Sequence, residues 1–194
     1  MLTSRQLEII HASHEIIAGQ GIQGLTIKNL SRSIGISEPA IYRHYDNKIS
    51  ILLALLEYFK SNMENVLKNE IRKKGSSFDK MKGVFTSHFK AFSATPSMVA
   101  VVFAEEIFRN EPILHKKLHD IMEFNDRILT DLITEGQKNN EIRTDVEPKY
   151  ISIILMGSLR LLVKKWQNTE YSFNLTEEGT KLYTTLKTLI INNQ

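Results

Sequence analysis

Apolar side chains recur every three or four residues through most of this 194-residue chain, and no stretch alternates apolar and polar residues over a strand length. Three of the four prolines fall where this periodicity restarts, as expected at the starts of helices. The sequence therefore predicts an all-α protein of about nine helices. Their approximate ranges are 4–19, 26–35, 37–45, 46–74, 78–94, 97–109, 112–139, 148–167 and 176–191.

The predicted eighth helix is apolar on nearly every face between Ile151 and Val163. This run is interrupted by Arg160 and is shorter than the roughly 20 apolar residues of a membrane span, so we predict no membrane partner. A helix that is apolar all round must be covered all round. Gly157 and Ser158 are small enough for another helix to approach closely, so this helix is expected to pack on something beyond its own core.

Cysteine is absent, which excludes disulfides, iron–sulfur clusters, thiolate zinc sites and cysteine nucleophiles. The first residues carry Arg5, Glu8 and Glu15 and lack the continuous apolar segment of a signal peptide. We therefore expect a cytoplasmic protein.

The segment TIKNLSRSIGISEPAIYRHYDNK, from Thr26 to Lys48, predicts two short helices around a tight turn. Thr26 and Ser37 can cap the two helices, and Gly35 suits a turn position with positive φ. This is the pattern of a helix-turn-helix, whose second helix enters the major groove of DNA. Apolar residues are spaced to pack both helices against the first: Ile27, Leu30, Ile34 and Ile41.

This region, about residues 5–55, resembles the TetR family of transcriptional regulators. Ser31, Pro39 and Ile49 differ from the residues usual in that family, but none of these differences removes a chemical role. The matching positions are Ala12, Gly21, Thr26, Leu30-Ser31, Gly35-Ile36-Ser37, Ile41-Tyr42, His44-Tyr45 and Lys48.

The resemblance implies an N-terminal three-helix DNA-binding domain, residues 1–48, and a larger helical effector and dimerisation domain, residues 49–194. It implies a homodimeric repressor that binds a palindromic double-stranded operator and is released by a small apolar effector, which shifts the fourth helix. Two alternatives remain: an effector-independent DNA-binding organiser, and an all-α protein-interaction module that does not bind DNA.

An enzyme is disfavoured, because the chain has no glycine-rich phosphate loop, no GxSxG and no paired catalytic carboxylates. His115 and His119 are four residues apart and could share a metal ion, but no third strong ligand is identifiable. We predict no catalytic residue, no cofactor and no metal site.

For DNA contacts, the chemistry of base edges suggests that Arg43 binds guanine, Glu38 accepts from cytosine and Ala40 meets a thymine methyl group. The resemblance implies backbone contacts by Tyr42 and by His44 or Tyr45. The full predicted set is Thr26, Lys28, Ser37, Glu38, Pro39, Ala40, Tyr42, Arg43, His44, Tyr45 and Lys48.

Apolar and aromatic residues of the fifth to eighth helices could line an effector pocket with a few polar groups, although the same residues could simply fill a core. The predicted set is Phe85, His88, Phe89, Phe92, Met98, Val102, Phe103, Glu106, Met122, Asn125 and Leu155. The resemblance implies that helices eight and nine form a four-helix bundle with their copies. The predicted interface comprises Ile154, Ser158, Leu161, Leu162, Leu182, Leu186 and Leu189.

Overall fold

The computed structural model of the protein describes residues 2–104 and 108–192. Within these residues there are nine named helices and no strand, apart from one isolated antiparallel bridge between Ile142 and Ile191, so the all-α prediction is confirmed. The helices are α1 (Ser4–Gly24), α2 (Ile27–Ile34), α3 (Glu38–Tyr42), α4 (Lys48–Ile71), α5 (Ser77–Ala94), α6 (Ser97–Val102), α7 (Pro112–Lys138), α8 (Pro148–Asn168) and α9 (Leu175–Ile190).

Several boundaries differ from the prediction, and two of them have clear local reasons. The first helix was predicted to end at Gly19 but reaches Gly24. Gly21, at φ +67°, bends the chain, and a last helical turn follows the bend. The fourth helix is capped by Asn47 rather than Asp46: the Asn47 side-chain oxygen accepts from the Ser50 N–H at 2.9 Å, and Asn47 N–H donates to the Ser50 hydroxyl at 3.2 Å.

The chain divides into two compact units. The first unit contains Met1–Ser61 and Thr95–His119, and the second contains Asn62–Ala94 and Asp120–Gln194. Helices α4 and α7 each continue from one unit into the other. These units are defined by packing, whereas the functional division after residue 48 stays a prediction.

In the first unit, α1 packs against α2 and α6, and α2 packs against α3. Helix α1 starts with a capping box in which Thr3 Oγ1 accepts from Gln6 N–H and Gln6 Oε1 accepts from Thr3 N–H. Each fully buried aliphatic side chain contributes about 1.5–3 kcal/mol, so this small core fixes the short helices on its surface. Its completely buried members include Ile9, Ile10, Leu25, Leu30, Ile41, Ile51 and Leu55.

In the second unit, α5 packs mainly against α9 and also against α8. The Tyr183 hydroxyl of α9 donates to the Phe78 carbonyl oxygen at 2.6 Å, and the rings of Phe85 and Tyr183 lie 5.2 Å apart. An aromatic face of α5 therefore forms the centre of this unit.

Gly179 is required for the close approach of α9 to α5. A Cβ atom at this position would lie 2.3 Å from two ring carbons of the buried Phe89. We expect Gly179→Ala to lower the free energy of unfolding by about 1–3 kcal/mol, because the overpacked ring or helix must move. Denaturant unfolding at fixed protein concentration measures this change. Gly19→Ala is the matched control, since nothing lies within 4 Å of a Cβ there. A similar gain in stability for both variants would contradict the packing described.

Candidate functional site

The helix-turn-helix predicted between Thr26 and Lys48 is confirmed. Gly35 adopts φ +74°, and its N–H donates to the Ser31 carbonyl oxygen at 3.0 Å. The Ile36 N–H donates to the same oxygen at 3.1 Å, which closes the end of α2 and turns the chain into α3.

Two side chains fasten this motif to the end of α1. Lys48 Nζ donates to the Ile22 carbonyl oxygen at 2.6 Å, and Asn29 Nδ2 donates to the Gly24 carbonyl oxygen at 2.8 Å. Partial burial lowers the pKa of Lys48. Lys48 thus has a structural role that the sequence did not reveal, and its contact with DNA stays a prediction.

The predicted DNA contacts on α3 and its flanks are mostly available to solvent. Tyr42 is 50% exposed and Arg43 is also exposed. The Ser37 hydroxyl makes no cap hydrogen bond, whereas Thr26 Oγ1 accepts from the Asn29 N–H at 3.1 Å. Of the remaining predicted contacts, the structure leaves Lys28, Glu38 and Pro39 exposed and Ala40 and His44 half-buried.

Tyr45 is an exception and requires a correction. It is only 7% exposed, and its buried hydroxyl has no hydrogen-bond partner among the described residues. Burial raises the pKa of this hydroxyl. The side chain belongs to the core beneath the motif, so we remove Tyr45 from the candidate DNA contacts.

Helix α8 has two apolar faces. One is buried in the second unit and contains Ile151, Leu155, Leu159, Val163 and Trp166. The other is exposed, with Leu161 71% accessible. The exposed face comprises Tyr150, Ile153, Ile154, Gly157 and Leu161, with Ser158 and Leu162 half-buried at its edge.

Helix α9 places two predicted interface residues on its outer side, Leu182, which is half-buried, and Leu189, which is exposed. Leu186 is buried with Tyr183 on the inner side, so its assignment to the interface is wrong. The predicted interface set omits Tyr150 and Ile153, although both continue the three- and four-residue spacing of the exposed face of α8.

Several predicted effector residues lie in the second unit. Phe85, Phe89 and Leu155 are fully buried, and the two phenyl rings meet edge to face at 6.1 Å. His88 is also buried, and its Nδ1 lies 2.9 Å from the Val84 carbonyl oxygen. Phe92 of α5 is buried in the same unit.

The other predicted effector residues are distributed differently. Met98 and Val102 are buried and Phe103 is half-buried, but all three belong to the first unit. Glu106 lies outside the described residues. Met122 is 43% exposed, which does not suit the wall of a closed pocket. The complete pocket stays a prediction.

An open groove of about 850 Å³ in the first unit was not predicted from the sequence. Leu7 of α1 and Leu53 and Ala54 of α4 provide its apolar surface, and an ion pair between Glu57 and Lys117 lies at its edge. No residue pattern identifies such a groove, because its walls come from distant parts of the chain.

His14 joins α1 to α6, with its Nδ1 3.0 Å from the Ser97 hydroxyl oxygen. Burial lowers the pKa of His14 to about 4, and the nearby His11 adds to this effect.

We expect His14 to make the protein less stable as the pH falls from 7 to 5. In the unfolded chain this histidine takes up a proton near pH 6.5, but in the folded protein it resists protonation until about pH 4. The loss of stability therefore begins near pH 6.5 and levels off below pH 4. Solvent reaches part of the ring, so we expect a contribution of about 1 kcal/mol. Denaturant unfolding at both pH values should show a smaller loss for His14→Gln. An equal loss would contradict this role.

Comparison with known proteins covers nearly the whole chain. The family model "Bacterial regulatory proteins, tetR family" matches residues 9–55, and the model "YsiA-like protein, C-terminal region" matches residues 59–191. The fatty acid metabolism regulator protein of Bacillus subtilis (strain 168) is 22% identical over 171 residues, 88% of each chain.

Two solved structures share the fold. The fatty acid degradation regulator FadR from Bacillus halodurans superposes with a TM-score of 0.85 at 18% identity, over 96% of each chain. FadR from Bacillus subtilis in complex with stearoyl-CoA gives a TM-score of 0.78 at 22% identity, over 94% of this chain and 97% of that one. Of the described helices, none combines the length and apolar character needed to cross a membrane.

Proposed function

Because this chain belongs to the TetR family of DNA-binding transcriptional regulators, we propose that it represses transcription as a homodimer on a palindromic operator and is released by an acyl effector. Such a protein works on the chromosome, in the bacterial cytoplasm. The observation that carries the DNA-binding part is the short α3, which follows the turn at Gly35 and presents Tyr42 and Arg43 to solvent.

On DNA, the residues of α3 and its flanks divide by chemistry. The Ser37 hydroxyl and the phenol of Tyr42 suit phosphate oxygens, which position the motif without reading sequence. Arg43 suits the two acceptors of guanine in the major groove, and Ala40 suits a thymine methyl group. The hydrogen bonds of Lys48 and Asn29 support these roles, because they fasten the start of α4 and helix α2, which flank α3, to the end of α1.

The exposed apolar face of α8 supports the proposed dimer. A contiguous apolar patch on a soluble protein marks an interaction surface. Leu182 and Leu189 of α9 would extend the interface, and a twofold axis would bring the same residues of both copies together. Dimerisation sets the spacing of two recognition helices, which a palindromic operator requires.

The acyl nature of the effector is inferred from two observations. The second unit has an aromatic and aliphatic interior around Phe85, Phe89 and Leu155, with few polar groups. Relatives of similar length are described as regulators of fatty acid metabolism or degradation, and one solved structure contains stearoyl-CoA. Release requires that the effector bind the DNA-free state more tightly. Helix α4 starts at the DNA-binding motif and continues into the second unit, so it can couple effector binding to DNA affinity.

Fluorescence anisotropy of a labelled operator tests this proposal. Stearoyl-CoA should weaken DNA binding at concentrations where coenzyme A alone has no effect. Unchanged DNA binding with both compounds would favour the effector-independent organiser. Absence of binding to any DNA would favour the protein-interaction module.

A further inference from the structure

The open groove of the first unit is large enough to hold a small ligand. Its volume of about 850 Å³ lies within the range of about 300–1,000 Å³ that is typical of small-molecule sites. Helix α1 and the first half of α4 line the groove, and α7 contributes Lys117. All of these residues belong to the first unit, so the groove shares none of them with the aromatic interior of the second unit.

Aliphatic side chains provide much of the surface of this groove. Leu2 is 37% exposed, and Leu7 and Leu53 are half-buried. The Ser50 hydroxyl lies on the same wall, but it already donates to the Asn47 carbonyl oxygen at 2.7 Å. An occupant of this wall therefore gains mainly by covering aliphatic carbon, which favours a ligand with an apolar chain.

The charges in the groove come from one ion pair whose two partners differ in exposure. Lys117 Nζ donates to Glu57 Oε2, and both residues line the groove. The lysine side chain is 21% exposed, whereas that of the glutamate is 53% exposed. Ion pairs with an exposed partner are weak, so Glu57 can turn into water at little cost. Lys117 then remains at the wall as the cation that a ligand would meet.

We propose that this groove binds an aliphatic carboxylate. The carboxylate of the ligand displaces Glu57 and accepts from Lys117, while its chain covers the leucines of α1 and α4. A single cation suits a head group with a single negative charge, and a hydrogen bond between ionised groups is stronger than one between neutral groups. This site is additional to the acyl effector proposed for the second unit, and each can exist without the other.

The competing explanation is an ordinary surface ion pair beside a groove that holds only water. Calorimetric titration with decanoate, kept below the concentration at which it forms micelles, separates the two explanations. We expect saturable binding of decanoate to the unmodified protein. Lys117→Met should weaken this binding about tenfold, because it keeps an apolar stem of similar length and removes the charge. Decanol, which carries no charge, should bind both proteins equally.

Substitution of the other partner should have the opposite effect. Glu57→Gln should strengthen decanoate binding about two- to fivefold, because the ligand no longer competes with a carboxylate of the protein. Ala54→Leu should weaken binding of both decanoate and decanol, since the larger side chain fills the groove. Lys68→Met is the matched control: Lys68 is another lysine of α4 in an ion pair, outside the groove, and its loss should leave decanoate affinity unchanged.

Three results would overturn this inference: no binding of decanoate to the unmodified protein, binding that Lys117→Met leaves unchanged, or weaker binding in Glu57→Gln. The proposed function is tested separately, by release of the operator with stearoyl-CoA. That release should be the same in Lys117→Met as in the unmodified protein, and it would stand if decanoate did not bind. Conversely, decanoate binding with the expected response to both substitutions would support this site even if stearoyl-CoA left DNA binding unchanged.

Discussion

Leu161→Glu should convert the protein into a monomer that binds its operator far more weakly. Leu161 lies 71% exposed on the outer apolar face of α8, where a twofold axis would bring two copies together. The substitution would bury two like charges without partners, at a cost of several kcal/mol to the dimer. Each monomer would then contact only one half-site of the operator. Operator affinity should therefore fall by at least a hundredfold, about 2.7 kcal/mol. Sedimentation velocity and DNA titration measure the two effects.

Thr184→Glu is the matched control for this experiment. Thr184 is exposed on α9, on a different side of that helix from Leu182 and Leu189. It should leave both the dimer and the DNA affinity unchanged. A Leu161→Glu protein that remains dimeric would contradict the assignment of the outer α8 face.

Arg43→Ala should give the second largest effect, together with a loss of preference at one base position. A bidentate arginine–guanine contact contributes about 1–3 kcal/mol, and a dimer makes it twice. We therefore expect about 2–6 kcal/mol of lost affinity for the best operator, and much less for operators altered at that base. Competition titrations with every base at each operator position measure this pattern.

Tyr42→Phe is the comparison variant for Arg43→Ala. It removes only the exposed phenol oxygen, so it should weaken binding to all operators by a similar factor. If Arg43→Ala also weakens every operator equally, Arg43 contacts the backbone and our assignment to a base edge is wrong.

Local features of the DNA-binding motif could be predicted from the sequence because each depends on a few neighbouring residues. Thr26 caps α2 and Gly35 turns the chain, and both roles follow from backbone geometry. Tyr45 could not be placed in the same way. Whether an aromatic side chain near the end of α3 faces DNA or the core depends on helices distant in sequence. The structure shows that Tyr45 is buried.

The two faces of α8 were predictable in part, because a helix that is apolar all round needs two covering surfaces. For α9, the sequence could not show which leucines face outward, since Leu186 and Leu189 both follow helical spacing. Packing of α5 against α9 decides it, with Tyr183 and Leu186 on the inner side. The pairing of His88 with Asn125 likewise joins α5 to α7 and leaves no local pattern in the sequence.

Selection of DNA from a random pool by the purified, unmodified protein tests the central claim most directly. We predict enrichment of a palindrome whose half-sites are separated by about one helical turn or a multiple of it, each bound by one protomer of a dimer. Affinity for the enriched sequence should decrease steeply with salt, because each protomer neutralises several phosphates. A pool that shows no enriched sequence after repeated rounds, or a single unpaired site bound by a monomer, would contradict the account.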